Sequence, residues 1–116
     1  MRNTISLNQN QLFLKVYQRG KKSYHRHFIL YCLPNQLPVN RLGFKVGKKV
    51  AKAVKRNRVR RLLKESYRLL ETEIQVGYDI VIVARPSCLS VDTYSDVSSA
   101  LRELMTKAKL LYSENK

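Results

Sequence analysis

Acidic side chains are scarce in this chain: eight Asp and Glu stand against 23 Lys and Arg, a formal charge of +15 over 116 residues. The eight are also scattered, which argues against the gathered carboxylates that metal-assisted phosphodiester cleavage requires. Tryptophan is absent and only three Pro and four Gly occur, so no Pro- or Gly-rich linker divides the chain and a single domain over 1–116 is expected. The two cysteines, Cys32 and Cys88, have neither C-x-x-C spacing nor nearby ligands in sequence, which excludes a zinc ribbon and a disulfide framework. Reduced, structural thiols are the expectation. No apolar run approaches the roughly 20 residues that cross a bilayer, and the N-terminal MRNTISLNQNQL has no signal-peptide core. The expected location is cytoplasmic, with no membrane contact.

What the chain does hold is concentrated charge. From Lys45 to Arg68 there are 11 basic residues and one acid, Glu65, a net +10 that leaves +5 for the rest. With Val59 at zero and about 100° per residue, Leu62, Leu63, Ser66, Tyr67, Leu69 and Leu70 fall within about 80° of it. Arg58, Arg60, Arg61, Lys64 and Arg68 fall between about 100° and 260°. One helix face is therefore apolar and the other a cationic stripe. A solvated face normally interleaves Glu with Lys; this one does not, and it has the electrostatic footprint of nucleic-acid binding.

The other elements follow from period and punctuation. Asn8 and Gln11, three apart, resemble a capping box opening a short helix that carries Leu12, Phe13, Val16 and Tyr17 and closes at Gly20. Residues 26–33, RHFILYCL, alternate as a strand with His27, Ile29, Tyr31 and Leu33 on one face and Phe28, Leu30 and Cys32 on the other. After the break at Pro34 to Pro38, a half-exposed strand with Leu42, Phe44 and Val46 on one face is expected to follow through a hairpin-like loop. Val50 and Val54 would land among the cations if the long helix ran back through them. A break near Lys55 to Asn57, with Asn57 as N-cap, is therefore expected. YDIVIVAR reads as a strand buried on both faces apart from Asp79, and Thr93 and Asp96 open a last helix with Val97, Leu101, Leu104, Ala108 and Leu111 inside. Helix, strand, strand, helix, strand, helix predicts an α+β fold, a two-layer sandwich with a mixed sheet.

These residues resemble a known family, the protein subunit of bacterial ribonuclease P. The likeness runs from Phe13-x-x-x-Tyr17 through FILYCL and LGFKVGKKVAKAVKRNRVRRLLKESYR to YDIVIVAR, with Arg56-Asn57-Arg58 its most specific feature. It implies a fold akin to the second domain of a small-subunit ribosomal protein, with about four strands and a left-handed crossover. General topology rules would have favoured the right-handed form. It also implies binding of the catalytic RNA of ribonuclease P and help in cleaving the 5′ leader from precursor tRNA, with catalysis residing in the RNA. No autonomous active site and no protein-bound cofactor are implied; Mg²⁺ enters through the RNA, and one protein monomer pairs with one RNA. Carried over by position, Lys48, Lys49, Lys52, Lys55, Arg56, Asn57, Arg58, Arg61 and Arg68 are the surface toward the catalytic RNA. Phe13, Tyr17, Ile29 and Tyr31, with Arg60 and Lys64 at the edge, are the cleft for the single-stranded leader. The chain departs from the family in offering only Arg2 as a cation before its first helix, in Lys45 at a position commonly small and hydroxylated, and in Tyr17 and Tyr67 where Phe is frequent.

The chemistry of the residues agrees with that division, because unpaired RNA is held by aromatic platforms under its bases and cations along its phosphates. An autonomous nuclease is disfavoured: Asp92 and Asp96 read more simply as a helix cap, and His25 and His27, which could bind metal or move a proton, fall on one strand face beside a basic loop. A ribosomal protein shares the charge and size, and composition does not separate the two; the cleft aromatics and the long Arg-Asn-Arg motif favour the ribonuclease P likeness. A helix-turn-helix DNA binder would need a second short helix and a dimer seam.

Overall fold

The computed structural model describes residues 2–48, 52–90 and 93–112. Lys49, Val50 and Asp92, each named above, lie outside the described residues. The strands are β1 (Thr4–Ser6), β2 (Lys21–Tyr24), β3 (Phe28–Pro34), β4 (Asn40–Lys45) and β5 (Tyr78–Ala84); the helices are α1 (Asn10–Arg19), α2 (Ala53–Leu70) and α3 (Tyr94–Lys107). They form one mixed sheet of order β1-β4-β5-β3-β2, in which β4 runs parallel to β1 and β5, and β3 antiparallel to β2 and β5. The α+β class and mixed sheet agree with expectation, with five strands rather than about four. The two strands without a sequence signal are the edges: TIS is too short for a period, and KKSY buries only Ser23.

The expected hairpin between the third and fourth strands does not form. β5 inserts between β3 and β4 and pairs with both. Its uninterrupted apolar run suits a central strand covered on both faces, and Ile80, Val81 and Ile82 are wholly buried. β4 accordingly is more enclosed than its alternation suggested, with Leu42 and Gly43 both buried.

The helices divide between the two faces. α2 and α3 cover one, where Phe28, Leu30, Leu42, Ile80 and Ile82 of the sheet meet Val59, Leu63, Tyr67, Leu101 and Leu104 in the main core. α1 lies alone on the other, its Val16 buried with Leu7 and Val81, and Leu12, Phe13, Tyr17, Tyr31, Leu33 and Val83 packed around them. Gly20 lets α1 end tightly against β3, since a Cβ there would strike the carbonyl oxygens of Val16 and Cys32. Its extended backbone shows that space, not a left-handed turn, requires glycine.

Three further local expectations need correction. α1 starts at Asn10 with Gln9 as N-cap and no side-chain cap; the Gln9 carbonyl accepts from the N–H groups of Leu12 and Phe13 at 3.0 and 3.2 Å instead. α2 does not break at Asn57: it begins at Ala53 with Lys52 as N-cap. Val54 does point among the cations, as the wheel places it, and is 81% exposed. The first turn projects past the core, so no packing penalty opposes its continuing as helix. Leu69, at the rim of the apolar arc, is 54% exposed. The Thr93 cap does form, its hydroxyl accepting from the Asp96 N–H at 3.2 Å.

Buried polar groups lock the N-terminal strand into place. Glu71, only 5% exposed, accepts from the N–H groups of Arg2 and Asn3 at 3.0 and 3.1 Å. Tyr67, buried on α2, hydrogen-bonds the Thr4 hydroxyl at 2.9 Å. Asn40 completes the join, donating to the Gln75 carbonyl at 3.0 Å and accepting from the Tyr78 N–H at 2.8 Å.

Candidate nucleic-acid interface

The sheet register arranges the face beneath α1 in rows. Lys22, Tyr31, Val81 and Gly43 align across β2, β3, β5 and β4, and beside them runs a second row, Tyr24, Ile29, Val83 and Lys45. α1 sits over the first row. Its Tyr17 ring meets Tyr31 edge-on at 4.9 Å between centroids, and Phe13 lies 6.3 Å from Tyr17. Phe13 reaches the far strand because residue 43 is glycine: a Cβ there would lie 2.5 Å from the Phe13 ring. The floor formed by the second row stays partly open, with Ile29 and Val83 half-buried and Tyr24 and Lys45 exposed.

Cations accompany the rings. Lys22 Nζ stands 5.7 Å from the Tyr31 centroid and Lys45 Nζ 5.6 Å from that of Phe13. Burial, reinforced by neighbouring Tyr31, pushes the Tyr17 phenol above its ordinary range, so it remains a neutral hydrogen-bonding group. Among the described residues the one acid on this face is Asp79, which is 3% exposed and forked by Arg41 at 2.7 and 2.9 Å. That hydrogen bond raises the Arg41 pKa, against burial, and removes the only negative charge an entering phosphate would meet there.

At the β4 end an open pocket of about 460 Å³ joins Phe13, Gly43 and Phe44 to Arg60 and Lys64, with residues 4–7 as its outer wall. The Arg60 guanidinium is aimed by neutral groups, donating to Asn57 Oδ1 at 3.2 Å and the Val46 carbonyl at 3.5 Å, so its charge stays unspent. Asn57 therefore orients a cation instead of capping the helix.

Of the sequence-derived cleft residues, Phe13, Tyr17 and Tyr31 in ring contact and Ile29 in the floor share the α1 face, and Arg60 and Lys64 reach its β4 end from α2. Lys22, Lys45 and Val83 belong with them, although the sequence reading passed over them. Their signal is register, visible only once β2 and β4 are paired with their neighbours.

The second surface is the projecting start of α2. Lys48, Lys52, Lys55, Asn57, Arg58 and Arg61 are exposed and Arg56 is half-buried. No acid occupies the first turn, so the positive end of the helix dipole adds to the cations instead of being offset. Around the axis, Arg60 and Lys64 point to the pocket at about 100° and 140°, whereas Arg61 and Arg58 sit at about 200° and 260°, so one helix serves two directions. Arg68 differs from the rest: about 20 Å along the helix from Lys55, it is forked onto Glu65 at 2.6 and 3.1 Å. The other described acids are mostly engaged as well, Glu73 with Arg102 and Glu103 with Lys107, both at 2.9 Å. No group of three or more His, Cys, Asp or Glu side chains among the described residues is placed to hold a metal ion. His25 and His27 lie in the β2–β3 turn, where Nδ1 of His25 accepts from the His27 N–H at 3.1 Å.

A mixed α+β sheet with a ring-lined, cation-edged face and a projecting cationic helix defines an RNA-binding protein of the small basic kind. The chain belongs to the ribonuclease P protein family: the family model described as Ribonuclease P matches residues 1–109. The ribonuclease P protein component of Alkaliphilus metalliredigens is 46% identical over 111 residues, covering 96% of this chain and 99% of that protein. That of Clostridium botulinum strain Loch Maree is 48% identical over 103 residues, covering 88% and 92%. Among solved structures, a Staphylococcus aureus RNase P protein mutant with defective mRNA degradation activity superimposes with a TM-score of 0.83 at 27% identity, covering 91% of this chain and 89% of that one. The Thermotoga maritima RNase P protein in complex with 1-(4-fluorophenyl)-2-thiourea gives 0.81 at 28%, covering 87% and 97%. RNA binding and tRNA 5′ processing are the role of this family, and ribonuclease P RNA is its partner. No described helix is long and apolar enough to cross a membrane.

Proposed function

We propose that the two surfaces divide the labour of the holoenzyme. The exposed cations at the start of α2 neutralise phosphates of the ribonuclease P RNA, one protein to one RNA. The cleft between α1 and the open sheet row holds the single-stranded 5′ leader of precursor tRNA. Catalysis resides in the RNA, which also carries the Mg²⁺; the protein raises the affinity for precursor over mature tRNA, because only precursor has a leader. The observation that carries this reading is the α1 face itself, on which rings alternate with unspent cations and the only described acid is already paired. Rings under bases and cations along phosphates are what unpaired RNA requires. A non-catalytic role for the chain is supported by its described acids, most of which are committed to internal partners rather than gathered.

The division is tested by crossing two substitutions with two ligands in a filter-binding assay. Tyr31→Ala should weaken holoenzyme binding of precursor tRNA by about 5- to 150-fold, the loss of one stacked base at roughly 1–3 kcal/mol, and leave affinity for ribonuclease P RNA unchanged. Lys55→Ala should weaken the RNA complex and spare the precursor-to-mature ratio. Equal loss of both affinities in either variant refutes the division.

A further inference from the structure

A third ring–cation pair stands on the same face, at the β2 end of the open row. Tyr24, the last residue of β2, is 52% exposed, and the Arg85 guanidinium lies 5.9 Å from its ring centroid. Arg85 follows β5, and its odd-numbered register with Val81 and Val83 brings it to the α1 side. Tyr24 continues the open row through Ile29 and Val83 to Lys45, about 14 Å away at three strand spacings. The pair is held in advance: the Tyr24 carbonyl accepts from Lys107 Nζ at 2.8 Å, and the Arg85 N–H donates to the His27 carbonyl at 2.9 Å. Arginine beside an exposed ring suits a base with its phosphate.

We infer that Tyr24 and Arg85 form a further nucleotide subsite, the station for the leader nucleotide most distant from the cleavage point. This rests on the leader reading above. The cations of α2 face the catalytic RNA, so the leader enters from the Lys45, Arg60 and Lys64 end. Tyr24 and Arg85 lie at the opposite end, over β2, and are reached last.

The consequence is a dependence on leader length. Holoenzyme is titrated with precursor tRNAs whose leaders are shortened one nucleotide at a time. Tyr24→Ala and Arg85→Gln should each weaken binding of long-leader precursor at least about 5-fold, and Tyr24→Phe should not. The loss should vanish at a leader length where the Tyr31→Ala loss still persists. The subsite is overturned if Tyr24→Ala and Arg85→Gln have no effect while Tyr31→Ala does, if their losses vanish at the same length as Tyr31→Ala, or if they extend to mature tRNA. If Tyr31→Ala is also without effect at every length, it is the leader reading that falls. Circular dichroism melting of each variant, together with unchanged affinity for ribonuclease P RNA, separates loss of the subsite from loss of the fold.

Discussion

Glu71 shows how one side chain can hold a wall of the interface without touching a ligand. Burial alone would raise its pKa, but hydrogen bonds from Thr4 and from the backbone N–H groups of Arg2 and Asn3 outweigh that and hold it below the ordinary carboxylate range. A carboxylate with a depressed native pKa contributes stability above its unfolded value of about 4.3, lost as pH falls through the native value. Glu71→Gln keeps the shape but removes the charge, and its NH₂, which cannot accept, replaces one of the two oxygens that hold the Arg2 and Asn3 N–H groups. It should cost about 1–2 kcal/mol in urea denaturation at pH 7, and the gap to the parent protein should narrow as pH drops below about 4. A gap independent of pH would show that the ionised form is not what secures β1. None of this was legible in the sequence, where Glu71 is one of eight scattered acids. The partners of Glu71 lie 68 and 69 residues away, and no local period encodes such contacts. Phe13, Tyr17 and Tyr31 were readable as a group only through the family likeness, whereas Lys22 and Lys45 became readable only with the register.

At the scale of the element, α2 sets stability against binding. Its first turn carries cations and no acid, the reverse of what a helix N-terminus favours, and each such charge costs about 0.3–1 kcal/mol. Lys52, the N-cap, makes no side-chain cap bond. Lys52→Asp supplies both a cap and a favourable charge, and should stabilise the folded protein by about 1–2 kcal/mol while weakening the complex with ribonuclease P RNA. A thermal melt beside a binding titration reads both; a variant that is stabilised and binds RNA undiminished would remove the helix start from the interface. The same logic explains why the expected break at Asn57 is absent. The wheel placed Val54 correctly among the cations, but a break follows only if that turn must pack, and it stands clear of the core. Periodicity reports which face is apolar; where an element stops is set by what it meets. Likewise β3 and β4 were each visible as alternating segments, and their separation by β5 was not, because a central strand that pairs with both is chosen by burial across the whole sheet.

For the molecule as a whole, the +15 charge is useful because it is uneven. The α2 start and the α1 face draw on different residues and different physics, one counterion release, the other chiefly stacking with a few accompanying cations. Salt titration separates them. If roughly 4–6 phosphates are engaged by the α2 surface, log affinity for ribonuclease P RNA should fall with log salt at a slope of about −3 to −5. Lys55→Ala should lower that slope by about 0.7–0.9, the share of one phosphate contact. Tyr31→Ala should leave the slope unchanged and shift the precursor titration by a factor that hardly varies with salt. Tyr31, on β3, and Lys55, at the exposed start of α2, lie on different elements, so the double variant should show the sum of the two losses within about 0.5 kcal/mol. A slope that Tyr31→Ala lowers as much as Lys55→Ala does would mean that both residues serve one continuous polyanion track, and the protein would then be a single charged surface rather than a body with two grips.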